Sequence, residues 1–453
     1  MRSCITDKFF YHIYPLGMCN APKRNDFSSP KSDCINRLQG ELDRLKSLGV
    51  NALYIGPLFE STSHGYDTVD YYFVDRRLGN NEDFKNFVRA CHEHDISVVV
   101  DAVFNHTGRD FFAFKDIQQK GSSSRYKDWY KNIRFDSHSP YGDNFTYEGW
   151  AGCMDLVKLN VDNEEVRSHI FGAVEKWIRE FDIDGLRLDA ADVLTPSFME
   201  ALRTFTSSIK NDFWLMGEVV HGDYNNWVSE KRLDSVTNYQ LYKGMWSSFN
   251  SANMFEVAWT LNQQFGSGGT LRNKILYNFL DNHDVNRLAS TVSKQTYLFA
   301  LYGMLFTIPG IPSIYYGSEY GIKGKRNDKG DYELRPALKP FACDFEDFSR
   351  PEINPQDLID SIKKFAYIRS QSNALKKGDY TQIALTNTSF AFKRTFYGEE
   401  IIVVFNQAEK ESLVKLPSID GTWTDLLSGL SFSTQTLENI SVPACYLRIL
   451  KKN

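Results

Sequence analysis

The chain has 453 residues, 42% of them hydrophobic, 24% charged and 14% aromatic, with a formal net charge of −5 at pH 7. That length builds one large domain with smaller ones attached, and that composition excludes a disordered or fibrous chain. The mild acidity, without a long basic run, excludes an electrostatic surface for nucleic acid or for an anionic membrane.

The opening stretch MRSCITDKFFYHIY has no apolar signal-like segment, and no run of about 18 apolar residues follows it. Seven cysteines, at 4, 19, 34, 91, 153, 343 and 445, are odd in number, widely spaced and free of any CxxC pair. They suit reduced thiols better than a disulfide frame or a zinc site, so the expectation is a cytoplasmic chain.

Short apolar or β-branched runs alternate with segments of helical period. The predicted strands, in chain order, are FFYHIYPLG, ALYIGPL, ISVVVDAVF, GLRLD, FWLMGEV, SVTNY, KILYNFL and IPSIYYG. Eight strands separated by helices predict a closed (β/α)8 barrel, the TIM fold. Between the first two strands, CINRLQGELDRLKSLG repeats Leu38, Leu42, Leu45 and Leu48 at helical spacing, and Gly49 ends the helix. NEEVRSHIFGAVEKWIREFD reads the same way before the fourth strand, and these apolar stripes are packing faces.

After the third strand, residues 105–160 are rich in Gly, Ser, Asp and aromatics without periodicity, which predicts a small inserted domain. Beyond PQDLIDSIKKFAYIRSQSNALKKG the pattern turns to short alternating strands such as AFKRTF, EIIVVFN and CYLRIL. The expected organisation is a barrel over 1–104 and 161–375, an insertion over 105–160, and a C-terminal antiparallel β-sandwich over 376–453.

Within DGLRLDAADVL, Arg187 and Asp189 share one face of a strand while Leu186 and Leu188 share the other. Buried charges are costly unless partnered, so the polar face must look into a polar place. A structural ion pair at a strand end answers this locally, but other strand ends are polar too. Asp101, Asn105 and His106 follow the third strand, Glu218 the fifth, and His283 and Asp284 the seventh. In a barrel these ends converge on one mouth. Two carboxylates across a glycosidic bond suffice for sugar hydrolysis, one as nucleophile or base and one as acid. A metal site is the competing explanation, without an HxH or HExxH spacing to support it.

The segments DAVFNH (101–106), GLRLDAAD (185–192), GEVVH (217–221) and FLDNHD (279–284) resemble, in order and spacing, the four short segments of the α-amylase family, glycoside hydrolase family 13. HGYDTVDYYFVDRRLG (64–79), LVKLN (156–160) and GIPSIYYGSEYG (310–321) extend the resemblance over nearly the whole chain. It implies Asp189 as nucleophile, Glu218 as general acid and base, and Asp284 as a third acid that binds sugar hydroxyls. It further implies substrate binding by His64, Tyr66, His106, Arg187, His221 and His283, with Arg187 orienting Asp189 and Tyr66 offering a stacking face. Asp331 and Arg335 of DYELR match a short pair that contacts the same region.

LVKLNVDNEEVR and GEVVHGD are similar to the cyclomaltodextrinase, neopullulanase and maltogenic amylase branch, which acts mostly on short or cyclic α-glucans. The implied partner is an α-glucan oligosaccharide, cleaved at α-1,4 bonds with retention; nucleic acid and membrane are not expected. A transglycosylase or a sucrose phosphorylase-like glucosyltransferase uses the same acids and stays open, whereas a non-catalytic sugar-binding relative lacks one of them. The branch commonly dimerises through an additional N-terminal β-domain, but here the first barrel strand starts near Phe9, so monomer and homodimer both remain. Where many endo-amylases have Lys-His after the nucleophile, this chain has Asp192 and Val193. Asn105 keeps a position that serves a structural calcium in secreted amylases, yet the expectation is no required metal or other cofactor. Phe111, Phe112, Trp129, Tyr130, Tyr141 and Trp150 are candidates for a sugar-stacking wall.

Overall fold

The computed structural model describes residues 1–328, 330–338 and 347–453. Eight parallel strands form one sheet: β1 (Phe10–Ile13), β2 (Ala52–Ile55), β3 (Ser97–Ala102), β4 (Gly185–Leu188), β5 (Trp214–Gly217), β6 (Ser235–Val236), β7 (Tyr277–Phe279) and β8 (Ile311–Tyr315). Their order is β6-β5-β4-β3-β2-β1-β8-β7, and a parallel bridge between Thr237 and Tyr277 joins the two edges into a ring. All eight predicted strands are present.

Strand alternation divides the barrel into two apolar layers. Phe10, Tyr54, Val99, Trp214, Met216 and Phe279 pack in the interior. Leu53, Val98, Val100, Leu186, Leu188 and Leu215 belong to the larger layer beneath the helices. Leu186 and Leu188 therefore face the helices, and Arg187, opposite Asp101 on β3 and Met216 on β5, faces inward.

The first predicted helix is two, Cys34–Gln39 and Leu42–Leu48, separated at Gly40. Leu38, Leu42, Leu45 and Leu48 are buried, and Gly49 ends the second helix at φ 96°, where glycine carries no Cβ penalty. Helix Glu164–Phe181 starts on the side-chain cap of Asn163 and buries Val166, Ile170, Val174, Trp177 and Phe181. Among the described residues no helix is long and apolar enough to cross a membrane.

His106–Gly108, Gly149–Trp150 and Cys153–Lys158 form a small antiparallel sheet after β3. At the C-terminus, six antiparallel strands run in the order 379–385, 389–396, 399–406, 446–452, 423–425, 431–432, with a two-stranded sheet of 412–415 and 439–442 beside them. Strand Glu399–Asn406 serves both sides: Ile401, Val403 and Phe405 join the barrel-side core, while Ile402 and Val404 pack with Val414, Ile440 and Val442.

The expectation of reduced thiols fails at one place. Cys19 and Cys34 form a disulfide with Cα atoms 5.8 Å apart. Their separation of 15 residues resembles no short motif; the chain between β1 and the first helix turns back and brings them together. Cys4, Cys91, Cys153 and Cys445 are free, and Cys343 lies outside the described residues.

Candidate active site

The strand ends converge on Arg187. Its Nη1 lies 2.8 Å from Asp101 Oδ1 and 2.8 Å from Asp189 Oδ1, and its Nη2 lies 2.8 Å from Glu218 Oε2. Arg187 is 2% exposed, so a single buried guanidinium holds three carboxylates. Asp101 also accepts from Tyr54 at 2.8 Å and Tyr66 at 2.9 Å. That packing requires glycine beneath it: a Cβ on Gly56 would sit 2.3 Å from the Asp101 Cβ.

Beyond β4 the backbone turns sharply, and Ala190 takes φ 44°, ψ 45°. This left-handed conformation, uncommon for a residue with a Cβ, aims the Ala190 N–H at Glu218 Oε2, 3.2 Å away. Glu218 Oε1 accepts from the Tyr239 hydroxyl at 3.3 Å, and Asn282 in turn donates to that hydroxyl at 2.9 Å.

Asp284 forms the other side. Its Oδ2 is 2.9 Å from His283 Nε2, and Arg335 Nη2 donates to its Oδ1 at 3.0 Å. Arg335 also donates to the His283 carbonyl and to Asp331, at 3.0 and 3.2 Å. The Tyr66 hydroxyl approaches His283 Nε2 at 2.5 Å, with the two rings stacked 5.4 Å apart. Tyr14 lies parallel to His283 at 5.8 Å, and Arg335 covers the Tyr14 ring.

Electrostatics separate the acids. Burial raises Asp189, with Glu218 and Asp101 adding to the effect and Arg187 opposing it. Burial also raises Glu218, helped by Asp284 and again opposed by Arg187. Asp284 goes the other way: burial alone would raise it, but His283, Arg335 and Arg187 hold it well below the usual carboxylate range. The deep site thus favours retaining a proton on the Asp189/Glu218 pair while Asp284 stays ionised.

Of the predicted binding residues, His106 is 1% exposed and burial, with His64 nearby, pushes it down to about 3. Among the described residues its Nε2 has no hydrogen-bond partner, nor has His283 Nδ1. His64 is half-buried and lines a cavity of about 320 Å³ with Tyr14, Asp331 and Arg335. Tyr66 is 9% exposed, and the face stacked on His283 is closed to a sugar ring. His221 is exposed and hydrogen-bonds to none of the acids; its near neighbour is Asp192, which burial raises and His221 lowers. Phe111, Trp129 and Tyr130 are buried core residues, Phe112 and Tyr141 are exposed, and half-buried Trp150 lies 5.8 Å from the His106 ring. Trp150 is thus the candidate ring nearest a predicted substrate residue.

Asn105 Nδ2 faces His106 Nδ1 at 3.2 Å, and among the described residues no group of three or more His, Cys, Asp or Glu forms a metal-ligating cluster.

Comparison with known proteins decides the family. A model described as "Alpha amylase, catalytic domain" matches residues 26–350. A cyclomaltodextrinase of Thermoanaerobacter pseudethanolicus is 32% identical over 92% of this chain and 73% of its own length. The chain belongs to the α-amylase family. Other members are similar as well: an intracellular maltogenic amylase of Bacillus subtilis is 32% identical over 84% of this chain and 64% of that protein. A solved cyclomaltodextrinase superposes with a TM-score of 0.85 at 28% identity, covering 100% of this chain and 79% of that one. A cyclic α-maltosyl-(1→6)-maltose hydrolase of Arthrobacter globiformis does so at 0.81 and 26%, covering 99% and 100%. This α-amylase-family chain is a glycoside hydrolase, and retention of configuration is general in its family.

The sequence reading missed several parts of this amylase-family site. Asp101 is visible at a strand end but reads as one more acid, whereas it anchors Arg187. Tyr54 and Tyr239 carry only the weak signal of a tyrosine at an inward strand position or just past a strand end. Asn282 lies inside the FLDNHD segment and Tyr14 inside the first predicted strand, and neither is singled out there.

Proposed function

We propose that this chain hydrolyses α-1,4-glucosidic bonds of short and cyclic maltooligosaccharides. The observation that carries the reading is Arg187 bonded to both Asp189 and Glu218 at 2.8 Å, with Asp284 held beside them by His283 and Arg335. The printed names of the relatives, cyclomaltodextrinase and maltogenic amylase, support the substrate class.

In this proposal Asp189 attacks the anomeric carbon while Glu218 gives its proton to the departing glycosidic oxygen, leaving a glycosyl ester on Asp189. Glu218, now a carboxylate, takes a proton from water, whose oxygen attacks the same carbon from the opposite face and releases Asp189. The two inversions restore the starting configuration. Arg187 orients Asp189, while Asp284, His283 and His106 hold hydroxyls of the sugar being cleaved. Asp331 and Arg335 contact the same region, and no step calls for a metal. His64 and Tyr66 contribute to the wall on the same side.

The same reading divides the chain into a barrel (1–104 and 161–375), an insertion (105–160) and a C-terminal sandwich (376–453), in line with the sheets each contains. It places the chain inside the cell, on the strength of the Bacillus subtilis relative's name. The Cys19–Cys34 bridge is the contrary observation, because cytosolic thiols are kept reduced.

The test is separate incubation with maltotriose, β-cyclodextrin, pullulan and sucrose, without added metal, followed by chromatography. Glucose and maltose from maltotriose and β-cyclodextrin are the expected products. Turnover of sucrose alone, or products longer than the substrate, would overturn the reading.

A further inference from the structure

The barrel has a second polar concavity, at the end opposite its mouth. A cavity of about 330 Å³ lies between the N-terminal approaches to β1, β7 and β8 and the first C-terminal strand, with Lys274, Gly310, Lys377, Tyr380 and Arg394 in its wall. It differs from a surface crevice in what it buries. Tyr380 is 4% exposed and its hydroxyl has no hydrogen-bond partner among the described residues. Arg394 is 1% exposed and its Nε has none either.

The other Arg394 donors rest on carbonyls, Nη1 on Thr307 at 2.6 Å and Nη2 on Gly378 at 2.8 Å. Arg369, 4% exposed, likewise donates only to carbonyls, those of Phe306, Leu375 and Gly310 at 3.1, 3.0 and 2.6 Å and, more weakly, Ile308. Carbonyls satisfy N–H groups but do not neutralise charge. Among the described residues neither arginine has a carboxylate within ion-pair distance. The acids at the edge are already engaged, Asp379 with Arg272 at 2.9 Å and Asp7 with Lys376 at 3.2 Å. Burial, with Arg369 as a like-charged neighbour, pushes Arg394 down to about 9. Two buried guanidiniums that repel each other are costly to keep unless something anionic visits them.

We infer that this cavity binds a phosphate group, free or as a small monoester, through Arg394 Nε, the Tyr380 hydroxyl and Lys377 at the rim. A phosphate supplies the missing negative charge, and its tetrahedral oxygens can accept from all three donors at once. Because the cavity joins the barrel floor to the C-terminal sheet, occupancy ties the two together. The effect belongs in stability rather than in turnover at the distant mouth, and the inference is independent of which glucan is cleaved.

The experiment titrates the full-length protein with inorganic phosphate against chloride of equal ionic strength, following Tm and, separately, the ³¹P line width of phosphate. Glucose 1-phosphate runs in parallel. The expected result is a Tm rise of about 2–5 °C at a hundredfold excess over Kd that keeps growing with the logarithm of the phosphate concentration, with broadening of the phosphate signal. Tyr380→Phe and Lys377→Glu should each weaken binding about tenfold while maltotriose hydrolysis stays at the wild-type rate. A larger effect of glucose 1-phosphate would identify the monoester as the source, and an equal effect the free ion. An equal shift in chloride, an unbroadened wild-type phosphate signal, or unchanged affinity in Tyr380→Phe would overturn the inference. The wild-type line width decides the matter even if a variant fails to fold.

Discussion

Asp101 and Arg187 face each other across β3 and β4 and are bonded at 2.8 Å, with neither side chain more than 3% exposed. Asp101 is thereby too deep to meet a sugar, and its work is to fix the guanidinium that both Asp189 and Glu218 touch. Replacing it with Asn keeps the shape and removes the charge. We expect kcat to fall about 100-fold with KM little changed, since a displaced catalytic group loses about that much. Steady-state kinetics on maltotriose check this; a rise in KM alone would make Asp101 a binding residue.

A pH profile reports the acid. Burial raises Glu218, so its protonated form persists above the ordinary carboxylate range and activity is lost as pH climbs through the raised value. The Tyr239 hydroxyl donates to Glu218 and favours its ionised form. Tyr239→Phe should therefore move the basic limb of kcat to higher pH, by about half a unit for a long hydrogen bond. A shift to lower pH would contradict the assignment of that limb to Glu218.

Stability should show the same charges with opposite sign. A carboxyl raised in the folded state resists ionising there, so it lowers stability as pH rises from its unfolded value, about 4, to its raised folded value. Asp284, depressed by its neighbours, instead contributes stability above the ordinary carboxylate range that is lost as pH falls through its folded value. Glu218→Gln removes one raised group. Its Tm should exceed wild type at pH 7 by more than at pH 4, by differential scanning calorimetry; a lower Tm at pH 7 would sink the idea.

Residues 19 to 34 are closed into a loop by their disulfide. A loop of that size constrains the unfolded chain by about 3 kcal/mol in the chain-entropy model. Dithiothreitol, or Cys19→Ser, should lower Tm by several degrees. Intact mass under non-reducing conditions should show two hydrogens fewer than after reduction; equal masses would return the chain to fully reduced thiols.

The eight strands are legible because each is a short apolar run, and charge at their ends marks Asp101, Arg187, Asp189, Glu218, His283 and Asp284 together; it is the resemblance to the α-amylase family that separates Asp189, Glu218 and Asp284 from the rest. What stayed hidden depends on distant parts of the chain meeting. Asp101 and Arg187 are 86 residues apart and Tyr66 and His283 are 217 apart, and no local pattern reports such pairs. The Cys19–Cys34 bridge is short in sequence but forms only because the segment after β1 doubles back. The motif that points to His221 gives no sign of its surroundings, which the structure shows to be an exposed place beside Asp192.

The proposed mechanism stands on Asp189 carrying the sugar. Its most direct measurement is peptide mass mapping after incubation with a 5-fluoro-α-glucosyl fluoride, whose glycosyl ester forms faster than it is hydrolysed. A single fluoroglucosyl adduct is expected on the peptide containing Asp189, and none in Asp189→Asn. An adduct on Glu218 or Asp284, or turnover through Asp189→Asn at the wild-type rate, would contradict it.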